Sequence, residues 1–148
     1  MTPRRLAVAV AALACAGTAI AGYLTWIRYT GLEPFCVGGG GSCERVQSSQ
    51  YADLAGVPVA AIGLAGYLGI LASLCLPGSA GRSATAFLTL VGAGFSAWLT
   101  LAEVALIHAI CQWCVASAAV MTLLAGAACA RLVTGEAAHL APVPGRNY

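Results

Sequence analysis

A chain of 148 residues that is 60% hydrophobic and only 8% charged lacks the polar surface of a soluble domain, in which about 25% of residues are charged. Seven arginines, no lysine and five acids give a net charge of +2, and these charges are too sparse for nucleic-acid binding. The length suits one domain, and its hydropathy places that domain in a lipid bilayer.

A bilayer core of about 30 Å needs roughly 20 apolar residues per helix. Residues 6–27 are uncharged throughout and form the first predicted span. Arg4, Arg5 and Ala19-Ile20-Ala21 also resemble a secretory signal with a cleavage site, and Cys15 after Ala12-Leu13-Ala14 faintly resembles a lipoprotein signal. The apolar run continues through Tyr23, Leu24 and Trp26, however, and that length favours a retained helix. Residues 57–76 form a second span, with Pro58 at its start, where a missing amide proton costs little. Gly63, Gly66 and Gly69 along it predict close helix packing. Residues 83–130 are too long for one span. Glu103 and His108 near the middle mark a tight turn, which gives a third span at 83–107 and a fourth at 110–133. Residues 134–148, with Pro142 and Pro144, read as a short disordered tail. The expected fold is an all-α integral membrane bundle of four transmembrane helices. Residues 1–133 form the membrane domain, with a long outer loop between the first two helices.

Arginine sets the orientation. With the N-terminus inside, Arg4, Arg5, Arg82, Arg131 and Arg146 are cytoplasmic, and only Arg28 and Arg45 lie outside. Both termini are therefore expected inside. The loop of residues 28–56 and the turn at His108 then face outward.

That topology sorts the seven cysteines. Cys36 and Cys43 fall in the outer loop, and Cys111 and Cys114 at the outer end of the fourth helix. Four thiols converge on the oxidising side of the membrane. Cys15, Cys75 and Cys129 read as packing residues, since free cysteine behaves as a small apolar side chain. Cys111-Gln112-Trp113-Cys114 is a C-x-x-C at a helix start, where the N-terminal dipole favours the first thiolate and exchange is fast. Cys36 and Cys43 enclose Val37-Gly38-Gly39-Gly40-Gly41-Ser42, whose four glycines predict a mobile segment. Such a loop suits a cysteine that swings between two partners. The plainer alternatives are a stabilising loop disulfide, or a zinc site built from all four thiolates. No metal is expected, because a C-x6-C spacing fits zinc knuckles poorly.

Two pairs in this arrangement suit electron transfer from a water-soluble protein to an oxidant in lipid. A mobile outer pair meets the protein, a pair at the membrane boundary meets the lipid-soluble acceptor, and thiol–disulfide exchange links them. A quinone is the acceptor that takes the electron pair.

The segments Cys43-Glu44-Arg45-Val46-Gln47-Ser48-Ser49 and His108-Ala109-Ile110-Cys111-Gln112-Trp113-Cys114, with Gly56-Val57-Pro58, resemble the vitamin K epoxide reductase family in its bacterial disulfide-forming branch. The resemblance covers about residues 23–133. It implies a four-helix bundle around a quinone pocket (menaquinone or ubiquinone) in the bacterial inner membrane. It also implies an electron path in which Cys43 exchanges with the partner, Cys36 relays to Cys111, and Cys114 engages the quinone. Ser49 matches the family's loop serine near the pocket, with a turn hydroxyl as the plain alternative. The partner it implies is a separate thioredoxin-fold (DsbA-like) protein outside the cytoplasm, since no thioredoxin-like segment follows the fourth helix. Animal members carry a tyrosine where this chain has Ala118, so quinone reduction rather than epoxide reduction is expected. A DsbB-type protein would carry its C-x-x-C in the first outer loop, the reverse of this order. The contrasting function is a non-catalytic or client-specific accessory subunit with a structural loop disulfide.

Three further features frame the site. Glu103 is a costly carboxylate within a span and so a candidate proton donor to a reduced quinone, but snorkelling to the outer interface is the preferred reading. His108 reads either as a proton shuttle beside Cys111 or as an interfacial turn residue. Tyr23, Trp26, Tyr29 and Trp113 suit an aromatic belt, with Trp113 also a candidate wall of the quinone pocket.

Overall fold

The computed structural model describes residues 3–36 and 41–140, with side chains for 4–36 and 41–135. The long helix α1 covers Pro3–Thr30, and a short helix α2 covers Ser42–Gln47. A two-stranded antiparallel hairpin pairs β1, Asp53–Leu54, with β2, Val57–Pro58. Helices α3, Val59–Leu74, and α4, Gly78–Ala102, follow. A π-helical turn, Glu103–Ile107, prolongs α4, and α5 runs over Gln112–Leu140.

Three of these helices are long and apolar enough to cross a membrane: Arg4–Thr30, Gly78–Ile107 and Gln112–Gly135. The second predicted span is shorter than expected. Its helix has 16 residues, which is roughly 24 Å at 1.5 Å per residue. Two residues at its start belong to β2, because Ala55 and Gly56 both take positive φ, 52° and 82°, and close a two-residue hairpin turn. Pro58 cannot donate, so the first amide of the helix, Val59 N, bonds back to Ala52 O at 2.8 Å. At the other end of the chain, α5 continues past the expected boundary at residue 133 to Leu140. The remainder of the predicted tail, 141–148, and residues 37–40, which include three of the four loop glycines, lie outside the described residues.

The four longer helices pack in a ring, with α1 against α3 and α5, and α4 against α3 and α5. The core joins Val10, Ala14 and Ala21 of α1 to Tyr67 and Ile70 of α3 and to Met121 and Leu124 of α5. The first segment is thus part of the folded core. Lipid is as apolar as leucine, so helices associate through close packing and a few polar links. Gly17 supplies the closest approach, since any Cβ there would fall within the Tyr67 ring. Tyr67 Oη also meets Ser117 Oγ at 2.9 Å, tying α3 to α5, and Ser73 Oγ meets Thr85 Oγ1 at 2.7 Å, tying α3 to α4. Each such link contributes roughly 0.5–2 kcal/mol.

Two expectations are corrected here. Gly63 and Gly66 do not serve close packing, because a Cβ at either would meet open space; both line a cavity inside the bundle. Cys15 and Cys75 are exposed on the outer surface rather than packed in the core.

Candidate functional site

The site is assembled where α2, the π-helical turn and the start of α5 meet. Helix α2 presents Cys43 and Val46, three residues apart, on one buried face. That face packs with Ala109 and Cys111, and Cys36, Ile107, Trp113 and Cys114 close around the cluster. Cys36 and Cys43 are joined as a disulfide, with Cα atoms 6.4 Å apart, while Cys111 and Cys114 are free thiols.

The turn between α4 and α5 explains how the C-x-x-C is held. His108 ends the π-helical turn in the left-handed conformation, φ 52°, a region in which histidine is enriched. Its exposed ring places Nδ1 3.0 Å from Val104 O, so His108 serves the turn. Residues 109–111 lead into α5, and the first helical bond, Val115 N to Cys111 O, makes Cys111 the N-cap. The Cys111 N–H is left over, and the buried Glu103 carboxylate accepts it through Oε2 at 3.1 Å. Glu103 is only 4% exposed, and its carboxyl also interacts with the Cys114 thiol. Snorkelling is therefore corrected: the side chain turns inward because its two partners lie there.

The two sulfurs of the C-x-x-C face different surroundings. Cys111 is fully buried against the loop pair, whereas Cys114 lies in the wall of the internal cavity. The Cys111 thiol is lowered from its ordinary 9.0 to about 7. Its chief cause is the hydrogen bond from the Cys114 thiol, helped by the backbone amides of Cys114 and Trp113 at the helix start, and opposed by burial and by Glu103. The expected gain of the first thiolate at a helix N-terminus is present in this geometry.

The two sulfurs of the loop pair differ in exposure. Cys43 is 2% exposed and sits in the same cluster as Cys111, while Cys36 is half-buried and the more accessible sulfur. Cys36 is thus the more accessible end of the loop disulfide, and both of its sulfurs pack in or against the cluster that holds Cys111. Burial of Val46 turns this face of α2 inward and carries Cys43 with it.

Trp113 is also corrected. Its ring does not line the cavity. Its indole Nε1 donates to Phe35 O at 2.8 Å, and Gln112 Nε2 donates to the same oxygen at 3.1 Å. The ring centroid lies 4.9 Å from that of Tyr23, whose hydroxyl accepts the Phe35 N–H at 3.1 Å. These bonds fasten the residue immediately before Cys36. Trp26 and Tyr29 are exposed, as a belt requires.

The cavity has a volume of about 370 Å³ and predominantly apolar walls from α3, α4 and α5. Ser49 lines it, while its hydroxyl donates to Val46 O at 2.8 Å and so serves the turn after α2. Gln47 and Tyr67 also reach it and were not singled out from sequence. Gln47 Nε2 lies 3.8 Å from Cys114 Sγ. Its signal was the spacing of four residues from Cys43, which puts both on neighbouring faces of α2. The signal for Tyr67 was a lone hydroxyl in mid-span, which needs a buried partner. Volume, apolar walls and a thiol in the wall together fit a quinone ring, a planar apolar acceptor of two electrons. Ala118 lines this cavity and provides no acid near it.

Residues 8–129 match the vitamin K epoxide reductase family. The chain belongs to that family. It is also 44% identical over 52 residues to the thiol-disulfide oxidoreductase LTO1 of Arabidopsis thaliana. That stretch is 35% of this chain and 14% of the plant protein, so the chain spans a small part of that relative. Family membership and the three long apolar helices make this a multi-pass membrane protein.

Proposed function

We propose that the protein is a membrane thiol–disulfide oxidoreductase that oxidises a thioredoxin-fold partner outside the cytoplasm and passes the electrons to a membrane quinone. The observation that carries this reading is the placement of the C-x-x-C: Cys111 packs against the loop pair, and Cys114 opens into the apolar cavity. In this proposal α3 is the fourth span, both termini are cytoplasmic, and the C-x-x-C lies at the outer boundary of a bacterial inner membrane.

The exchange sequence follows the order of exposure. A partner thiolate attacks Cys36 Sγ, the accessible end of the loop disulfide, and Cys43 leaves as a thiolate. Cys43 then attacks Cys111 Sγ of an oxidised C-x-x-C, and Cys114 leaves as a thiolate facing the cavity. After the partner's second thiol releases Cys36, that thiol re-forms the loop disulfide and frees Cys111. The sequence leaves the loop pair oxidised and the C-x-x-C reduced. Quinone bound in the cavity supplies an acceptor for two electrons and two protons. Gln47 beside Cys114 stabilises the leaving thiolate, and Tyr67, Ser49 and the glycine-widened wall of α3 bound the space for the ring.

The burial of Cys43 favours one other reading, a loop disulfide that merely locks an accessory subunit. Quinone reduction by the purified protein in detergent, driven by a reduced thioredoxin-fold protein or a small dithiol, separates the two. Turnover in wild type that is lost in Cys111→Ala and Cys114→Ala supports the enzyme. No turnover, with the loop pair staying oxidised under mild reductant, supports the lock.

A further inference from the structure

We propose that the Glu103 carboxylate is the acceptor of the Cys114 thiol proton during oxidation of the C-x-x-C. This rests on the proposed redox role of that pair, and deepens it by naming the base.

Three observations meet at this side chain. Glu103 is 4% exposed, yet it lines the cavity together with Cys114. Oε2 accepts the Cys111 N–H at 3.1 Å, which aims the carboxyl at the pair, and the carboxyl interacts with the Cys114 thiol itself. The π-helical turn begins at this residue, and such turns are frequent at functional sites. The titratable groups that face it are Cys111, the N-cap of α5, and Cys114 within it, with Tyr67 of α3 and Tyr51 of the loop sharing the cavity wall. Among the described residues no arginine forms an ion pair with it; Arg28 of α1 pairs instead with Asp53 of β1. A carboxylate buried without a cation is costly, and capping the Cys111 N–H does not require charge. A neutral glutamine accepts that bond equally well.

Oxidation forms the Cys111 Sγ–Cys114 Sγ bond and removes two electrons and two protons. The electrons go to the quinone-class acceptor. Cys111, lowered to about 7, releases its proton before the step at neutral pH. The Cys114 proton passes to a Glu103 carboxylate oxygen, which holds it at the cavity wall where the reduced acceptor needs it.

Glu103→Gln tests this on the full chain in detergent, because the amide oxygen keeps the cap and cannot take the proton. Two single-turnover oxidations of the pre-reduced pair are followed, one by a short-chain quinone and one by a small aromatic disulfide. Both are expected to slow about 100-fold in the variant, the usual scale of a lost general base. The Cys111 titration, read by thiolate absorbance, is expected to move to lower pH, since the repelling carboxylate is gone. Slower oxidation beside a more acidic Cys111 is not what loss of a structural cap would give. Oxidation by the disulfide within about threefold of wild type would overturn the proposal. So would a Cys111 midpoint that rises toward 9.0, which marks a disrupted turn. Failure of the quinone arm in wild type, with the disulfide arm still slowed by the substitution, would sink the quinone reading and leave Glu103 as the base.

Discussion

Removing the Cys114 thiol tests the electrostatics of the pair directly. The hydrogen bond from Cys114 is the largest cause of the low Cys111 value, about 7 against an ordinary 9.0. That difference corresponds to ~3 kcal/mol of preference for the thiolate. In Cys114→Ala the bond is lost while burial and Glu103 still oppose charge, so the Cys111 midpoint should rise to 9.0 or above. At pH 7 the thiolate fraction then falls from about one half to about 1%, roughly a 50-fold loss of nucleophile. The sign is fixed by the lowered value: wild-type exchange at Cys111 gains rate as pH rises through about 7 and is lost below it. Cys114→Ser keeps a donor at the same place and should retain most of the lowering. The assay is a pH titration of thiolate ultraviolet absorbance on the reduced protein, with the Cys111→Ala difference assigning the step. A Cys114→Ala midpoint that stays near 7, or a serine variant indistinguishable from alanine, would refute the argument.

Other expectations concern the path and the cavity. Cys36→Ser should accumulate a Cys43–Cys111 cross-link, detectable by peptide mass mapping, because Cys43 already sits in the Cys111 cluster; a Cys36–Cys111 cross-link in Cys43→Ser alone would reverse the proposed order. Gly66→Leu should leave the fold intact, since a Cβ there meets open space, but should crowd the cavity by ~1–3 kcal/mol. It should raise the quinone KM at least about tenfold and leave dithiol exchange with the loop pair unchanged. Tyr67→Phe removes the hydroxyl that meets Ser117 and should lower thermal stability by about 0.5–1.5 kcal/mol, measured by detergent melting.

The helices were legible because uncharged runs in a bilayer leave few alternatives to a helix. The ends of the second span were not. Hydropathy treats Val57, Pro58, Cys75 and Leu76 as span residues, while positive φ at Ala55 and Gly56 draws the first two into a hairpin. The convergence of Cys36, Cys43, Cys111 and Cys114 was legible from topology and spacing. Side-chain direction was not. Whether Trp113 faces the cavity or the loop depends on a hydrogen bond to Phe35, 78 positions away in sequence. Likewise Glu103 turns inward because Cys111 offers an amide, which no local pattern announces. The glycines of α3 illustrate the same limit. Gly63, Gly66 and Gly69 suit close packing by type, but the neighbouring helix stands away from the first two and a cavity results.

The spacing of the C-x-x-C gives the strongest reason to treat the pair as a conduit. Three residues of helix advance roughly 4.5 Å along the axis, and over that distance the surroundings change from a sealed loop cluster at Cys111 to an apolar cavity at Cys114. A single sulfur could not contact both. Two sulfurs that share a hydrogen bond can, and the bond places the more acidic thiol, the better leaving group, on the side of the loop pair. The Trp113 and Gln112 bonds to Phe35 hold the loop against that side. The arrangement therefore separates a sulfur for exchange with the loop pair from a sulfur for the lipid-soluble acceptor, within one turn of one helix.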